Sequence, residues 1–168
     1  VQRGGTVDAV LLHIVFQAVF VVAQVEQVDF RKVLRQEGGQ AFYDNTIGKY
    51  EFGFLELANN ELLDQMYAGL TGISAEQKLV YITMMSMNNG EFGLVQVSES
   101  KHLDPGKAIF QARIDYMSGA DGGQPGAWYP GPTEQWLNNS RVVSNGNYVM
   151  MVVHENCDDI VNDFNALF

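Results

Sequence analysis

The sequence contains a single cysteine, Cys157, among its 168 residues. One cysteine forms neither an intrachain disulfide nor a multi-cysteine zinc site, which excludes a fold held together by either. Charged residues are also scarce at 18 %, whereas hydrophobic residues make up 46 %. That balance favours a packed interior and argues against global disorder. We therefore predict one domain over residues 1–168, which is long enough to bury a substantial core.

Positive charge is especially scarce. Ten lysines and arginines face twenty acidic residues, so the formal net charge is −10. The basic residues are dispersed along the chain and form no positive stripe. Because binding to phosphates requires a concentrated positive surface, we expect no nucleic-acid partner, and an anionic membrane surface is disfavoured too. The acidity favours solubility and leaves a cationic partner open.

A hydrophobic run of membrane-spanning length is missing as well. Residues 9–23 are apolar apart from two positions, and this stretch is shorter than the ~20 residues that cross a bilayer. At helical spacing five polar residues of the N-terminal region share one narrow sector: His13, Gln17, Gln24, Gln27 and Arg31. This pattern predicts an apolar helix from about Asp8 to Leu34, within residues 1–36, that covers the rest of the domain. The many Val and Phe residues suit a strand pair equally well, and Val21-Val22-Ala23 resembles the cleavage site of a signal-like segment.

Two Asn-Gly pairs stand between β-rich arms, which is a strong signal for hairpins. One predicted hairpin joins residues 141–144 to 147–153, and the other joins residues 79–87 to 91–97. Both faces of the 79–87 arm are apolar, so we place it centrally with cover on both sides. The sequence thus predicts an α+β fold with a four-stranded antiparallel sheet and helices packed on it. We expect the methionines of these arms to fill the core, namely Met84, Met85, Met87, Met150 and Met151.

Cap and stop signals predict the helices. Asn59 or Asn60 begins a helix that ends at Gly72, and Asn156 begins the last helix. Another helix opens at Asp104-Pro105, with an inner stripe of Ile109, Ala112, Tyr116 and Met117. A loop follows over residues 118–132, and then a short helical turn capped by Thr133. We also predict a short strand over residues 50–54 and a single turn over residues 74–77. Residues 60–168 then form a core of hairpin, helix, hairpin and helix.

Several motifs carry a resemblance to a known family. They are Glu91 at the start of a strand, Arg113 in a helix, Trp128-Tyr129-Pro130 in the loop and Gly146-Asn147-Tyr148-Val149 in the last strand. With these motifs, residues 60–168 resemble a bacterial family, the domain of unknown function numbered 4358. The N-terminal thirty residues do not match that family. The resemblance implies an extracytoplasmic protein, secreted or lipid-anchored, and it supplies no catalytic residues.

One group of aromatic and charged residues is a candidate binding site. Its members are Arg113, Asp115, Tyr116, Trp128, Tyr129, Glu134 and Trp136. Aromatic rings on a Gly- and Pro-rich loop stack against ligands while charged groups orient them. The competing explanation is that the rings fix a loop that lacks regular hydrogen bonds. We predict a non-enzymatic binding module that uses the loop 118–132, with a small molecule, a glycan or a protein as partner.

A hydrolase-type enzyme is the alternative function. His154, Glu155 and Cys157 lie where the last strand meets the last helix, and a thiol at a helix N-terminus is a candidate nucleophile. A solvated strand end followed by a helix cap explains the same residues. A homodimer that pairs through the apolar N-terminal segment is a third possibility. No motif for a cofactor or a metal ion is present, and we expect neither.

Overall fold

The computed structural model describes residues 38–85 and 90–168. The helices are α1 (Gly39–Lys49), α2 (Asn60–Met66), α3 (Leu103–Ser118), α4 (Pro130–Asn138) and α5 (Cys157–Asn165). The strands are β1 (Glu56–Leu57), β2 (Ala75–Ile82), β3 (Glu91–Val97), β4 (Ser140–Asn145) and β5 (Tyr148–Val153). The helix predicted over residues 8–34 and the prediction for Met87 lie outside the described residues.

Within the described residues, five strands form one antiparallel sheet in the order β1-β2-β3-β5-β4. This confirms the α+β class, but the predicted number of four strands is wrong. The added strand β1 pairs Glu56 with Ile82, and it is too short for its alternation to be recognised in a sequence. The strand predicted over residues 50–54 is also wrong. There Phe52 packs against the ring of His154, with ring centroids 4.4 Å apart, and the backbone forms no ladder.

The hairpin predicted over residues 79–87 and 91–97 corresponds to β2 and β3, which pair in antiparallel register. β2 begins at Ala75, opposite Val97, so the single turn predicted over residues 74–77 is wrong. Long-range strand pairing outweighs the local capping signal there, as tertiary context commonly does. β2 ends at Ile82, earlier than the predicted arm.

The early end of β2 changes the role of its neighbouring methionines. Met84 and Met85 lie beyond the strand and are 63 % and 61 % exposed. The core role predicted for these two residues is therefore wrong. Met150 and Met151 lie in β5 and are fully buried, as predicted.

The hairpin predicted over residues 141–144 and 147–153 is formed by β4 and β5. Asn145 pairs with Tyr148, so the two turn residues are Gly146 and Asn147, one position later than the Asn-Gly pair itself. Gly146 has a φ of 55°, whereas Asn147 is not among the residues of positive φ. A glycine of positive φ at the first turn position is typical of a type II′ turn, which explains the shift.

Helices cover both faces of the sheet. On one face, α2, α3 and α4 contribute to a core cluster that includes Leu63, Tyr67, Val80, Ile82, Val95, Phe110, Ile114, Trp136 and Met151. On the other face, α1 and α5 contribute to a cluster that includes Phe42, Tyr43, Leu79, Phe92, Leu94, Met150, Ile160 and Phe164. β2 supplies residues to both clusters, which confirms the predicted cover on both sides; it is an inner strand next to β1, and β3 lies at the centre of the sheet.

The helix boundaries follow local capping chemistry. Asn59 accepts a hydrogen bond from the Leu62 amide and so caps α2, as predicted. α4 begins at Pro130 and not at the predicted cap Thr133, because proline has a backbone angle suited to the first helical turn. α5 begins directly after Asn156, as predicted. Among the described residues, no helix has both the length and the apolar character needed to span a membrane.

The inner face of α3 differs from the predicted stripe. The helix begins at Leu103, and its buried residues include Phe110, Arg113 and Ile114. Tyr116, predicted to face inward, is 50 % exposed. The buried face includes a charged residue because Arg113 finds a partner on the sheet, and an apolar periodicity does not detect such a position.

Candidate functional site

An open cleft of about 480 Å³ lies where β2 ends and β3 begins. Its lining residues come from α2 (Leu62, Met66), the β2 end (Thr83, Met84, Met85), the β3 start (Gly90, Glu91), α3 (Arg113, Met117), the following loop (Gly126, Ala127, Trp128, Tyr129) and α4 (Pro132, Trp136). Arg113, Trp128, Tyr129 and Trp136 of the predicted binding residues thus share one concave surface. The methionines were not predicted as site residues, because strand periodicity had placed Met84 and Met85 in the core.

The remaining predicted residues lie elsewhere. Tyr116 lines a second concavity of about 520 Å³, which we call the side groove. The side groove also includes Gln65, Ile109 and Ala112, and it shares Met66 and Arg113 with the cleft. Asp115 accepts a hydrogen bond from Gln111 at 2.8 Å, and Glu134 is exposed on α4; neither lines the cleft.

The loop after α3 is held by its backbone and by small residues. The amides of Gly126 and Ala127 donate to the carbonyls of Tyr116 and Met117, at 2.9 and 3.2 Å. Ala127 is buried, whereas Trp128 is 87 % exposed and Tyr129 is 47 % exposed. The competing explanation requires buried rings that fix the loop. Trp128 and Tyr129 are not buried, so these two rings do not fix it in that way.

Trp128 also has a strained backbone. Its φ is 62°, which makes it the only non-glycine residue of positive φ in the described part of the chain. Tryptophan is rarely found in this region, and residues held there cluster at ligand-binding and active sites. The positive φ therefore marks Trp128 as a candidate site residue, independently of the exposure of its side chain.

At position 128 a glycine variant should be more stable than an alanine variant, which reverses the usual order of stability. We expect Trp128→Gly to be more stable than Trp128→Ala by about 1 kcal/mol, because glycine adopts a φ near 60° without steric penalty. Urea denaturation followed by far-UV circular dichroism measures the difference. A more stable alanine variant would show that the loop backbone relaxes and that the positive φ carries no strain.

A buried ion pair forms the floor of the cleft. Arg113 donates from Nε to Glu91 Oε1 and from Nη2 to Glu91 Oε2, both at 3.0 Å. Tyr67 donates its hydroxyl to the same Oε1 atom. The guanidinium lies between the rings of Tyr67 and Trp136, with its carbon 5.5 and 5.4 Å from their centroids. These contacts fix the guanidinium in a defined orientation.

The electrostatics of this floor follow from the Glu91 carboxylate. Burial by itself lowers the pKa of Arg113, but the adjacent carboxylate outweighs burial and raises the pKa above its ordinary value. Burial, and then the charge of Glu91, raise the pKa of Tyr67 well above its ordinary value. Tyr67 therefore stays a protonated donor, and Arg113 stays a cation. In the sequence analysis Glu91 entered only through the family resemblance. The pattern that could have indicated a site residue is a charged side chain at the start of an otherwise apolar strand.

Replacing Tyr67 with phenylalanine should lower the free energy of unfolding by about 1–3 kcal/mol at neutral pH, because a hydrogen bond to a charged group is lost. It should also flatten the alkaline part of the stability profile. Because the folded-state pKa of Tyr67 is raised, its contribution is complete below the unfolded value of 10.0 and is lost as pH rises above that value.

Urea denaturation between neutral pH and pH 11 checks the prediction for Tyr67→Phe. Tyr43, whose pKa is raised to about 12, is present in both proteins, so its effect cancels in the difference. Parallel pH profiles for the two proteins would contradict the assignment.

One nitrogen of the Arg113 guanidinium takes no part in the buried pair. Arg113 Nη1 donates to no residue in the described part of the chain. No side-chain nitrogen or oxygen among the described residues is both fully buried and without a partner, so Nη1 is not a fully buried unpaired donor. Arg113 lines both the cleft and the side groove, and it is 8 % exposed. The site thus offers an oriented, nearly buried donor to a ligand.

The residues of the alternative enzyme site do not form a nucleophile and base. Cys157 is 2 % exposed, and burial raises the pKa of its thiol, which opposes thiolate formation. His154 Nδ1 accepts from the Asn156 amide at 3.0 Å, and Nε2 lies 3.1 Å from the Glu51 carbonyl. Both ring nitrogens of His154 are thus engaged by backbone groups, and Glu155 is exposed. The geometry argues against a hydrolase built on these three residues.

Metal chemistry also finds no support in the described ranges, where no group of three or more His, Cys, Asp or Glu side chains is placed to hold a metal ion. Comparisons with protein-family models, with curated proteins and with solved structures find no match to this chain. The resemblance to the family of unknown function therefore stays a prediction.

Proposed function

We propose that this domain is a non-enzymatic binding module and that the cleft is its binding site. The observation that carries the proposal is Trp128, which is 87 % exposed, has a φ of 62° and lies on the lining of the cleft. Burying so large an apolar ring on binding contributes favourable free energy, because the ring is removed from water. The strained backbone is understandable if the conformation serves to present the ring.

The other lining residues support the same conclusion. Met84 and Met85 are large apolar side chains that are more than half exposed, and they line the cleft together with Trp128. Clustered apolar exposure on a soluble protein marks interaction sites more often than scattered exposure does. A volume of about 480 Å³ lies within the range of ligand sites, about 300–1,000 Å³.

The setting of this activity follows from the family resemblance. We propose that the protein functions outside the cytoplasm of a bacterium, secreted or attached to the cell envelope. Its partner there is a small molecule, a glycan or a protein. A homodimer formed through the apolar N-terminal segment stays a second prediction, and it uses a different part of the chain from the cleft.

Nuclear magnetic resonance tests the binding proposal directly. The chain has two tryptophans, so a ¹⁵N-labelled sample gives two indole N–H signals, and Trp128→Gly assigns them. We expect a fragment library at millimolar concentration to shift the Trp128 signal, because this ring lies on the binding surface. Leu137→Ser is the matched control, since Leu137 is 59 % exposed but does not line the cleft. A library that shifts neither indole signal would contradict the proposal.

A further inference from the structure

We propose that the cleft binds an extended peptide in which an apolar residue lies between basic residues. This inference rests on the proposed function and names its ligand class. The apolar side chain contacts the methionines and aromatic rings of the cleft, and a main-chain carbonyl accepts a hydrogen bond from Arg113 Nη1. The basic residues lie near acidic side chains on the surrounding elements.

The shape of the site favours an extended ligand. The cleft and the side groove meet at Met66 and Arg113, which line both. Trp128 lines the cleft and Tyr116 lines the side groove, and both side chains are exposed. A peptide chain spans two joined concavities, whereas a compact small molecule occupies one.

The chemistry of the cleft favours an apolar side chain. Among the described residues, four methionines line it, namely Met66, Met84, Met85 and Met117. Methionine is flexible and polarisable, and surfaces rich in it adapt to apolar peptide side chains of different shape. A saccharide site instead needs several polar side chains around an aromatic ring. Besides the two tryptophans, the polar side chains among the described lining residues are Thr83, Tyr129 and the Glu91–Arg113 pair.

Arg113 Nη1 sets the polar requirement of the ligand. Arg113 is more than nine-tenths buried, and its charge is already balanced by Glu91 through two hydrogen bonds. A ligand carboxylate at Nη1 would lie close to the Glu91 carboxylate and be repelled by it. A neutral carbonyl oxygen accepts from Nη1 without that penalty, and a peptide supplies one at every residue.

The charge around the site favours a cationic ligand. Apart from the buried pair, the helices and the loop that contribute to the cleft carry acidic residues outside its lining, namely Glu61, Asp64, Asp104, Asp115, Asp121 and Glu134. The lysine on these helices, Lys107, is bound to Asp104 at 3.0 Å. Together with the net charge of −10, this surface attracts a basic peptide and steers its approach.

Three synthetic peptides test the inference: acetyl-Gly-Lys-Leu-Lys-Gly-amide, the same peptide with Ser for Leu, and the same peptide with Glu for both Lys. The indole signals and the Arg113 Nε–H signal serve as readouts in titrations of the full chain. We expect the Lys-Leu-Lys peptide to bind at least about tenfold more tightly than either control peptide, since loss of an apolar side chain or of charge attraction weakens it. Its affinity should fall as salt is added.

Variants and a modified peptide locate the contacts. Trp128→Gly and Met85→Ser should each weaken the Lys-Leu-Lys peptide about tenfold, whereas Leu137→Ser should leave its affinity unchanged. Replacing the Lys–Leu amide of the peptide with an ester weakens the carbonyl as an acceptor without altering the protein. We expect this ester peptide to bind more weakly and to shift the Arg113 Nε–H signal less than the amide peptide does.

Three outcomes overturn the inference. Equal binding of all three peptides, or no binding of any, excludes an apolar residue between basic residues as the recognised motif. Shifts produced by diacetylchitobiose or cellobiose without shifts by the peptides assign the cleft to saccharides. In that last case the binding function stands while the peptide inference fails, so the two proposals are separated.

Discussion

An Arg113→Met variant should lose about 3–5 kcal/mol of unfolding free energy, because Glu91 is left as a buried charge without its partner. Glu91 is 1 % exposed and receives two hydrogen bonds from Arg113. Small domains are stable by about 5–15 kcal/mol in total, so this variant should be close to unfolding at physiological temperature. Urea denaturation followed by circular dichroism gives the value.

Two companion variants show whether burial of the charge is the cause. Glu91→Gln combined with Arg113→Met removes both charges and keeps an acceptor for the Tyr67 hydroxyl, so it should recover most of the lost stability. Arg141→Met is a matched control, because Arg141 forms the same two-bond pair with Asp158 at an exposed position. That control should change stability by about 0–1 kcal/mol. Equal losses for Arg113→Met and Arg141→Met would contradict the argument.

A Phe110→Ala variant should lose about 3–5 kcal/mol of unfolding free energy, because it leaves a large cavity between α3 and the sheet. Phe110 is fully buried, and its ring meets that of Tyr67 edge to face with centroids 5.8 Å apart. The ring also lies directly over Gly93 in the central strand β3. Chemical denaturation measures the loss.

Gly93 provides the internal test of that packing. A Cβ atom at Gly93 would lie 2.7 Å from Phe110 Cζ, so Gly93→Ala should destabilise the wild-type protein by about 1–3 kcal/mol through overpacking. In the Phe110→Ala background the same methyl group enters the cavity, and Gly93→Ala should be neutral or stabilising. The two effects are coupled because the residues are in contact. An identical loss in both backgrounds would place the strain of Gly93→Ala in the strand backbone and not against the ring.

Local signals in the sequence predicted most of the fold. The two Asn-Gly pairs predicted the hairpins, and Asn59 predicted the start of α2, because turns and caps depend on neighbouring residues. The bounds of β2 were missed because they depend on its long-range pairing with β3. The turn of the second hairpin differs by one residue, since the preference of Gly146 for positive φ fits more than one turn type.

The candidate site was predicted in part. Trp128 and Tyr129 were identified in the predicted loop and Trp136 in the helical turn after it, and the structure places all three on the cleft. The pairing of Arg113 with Glu91 joins residues 22 positions apart, and no local pattern reveals such a partner. The exposed positions of Met84 and Met85 follow from where β2 ends, which the alternating pattern extended too far.

The burial of Cys157 has a practical consequence. It is the sole thiol of the chain, it is 2 % exposed, and burial raises its pKa, so it reacts slowly with alkylating reagents and oxidants. A cysteine introduced on the surface, for example by Leu137→Cys, therefore becomes a unique attachment point for a fluorophore or spin label. Native Cys157 need not be removed first, and its packing in the core cluster beneath α1 and α5 is kept intact during labelling.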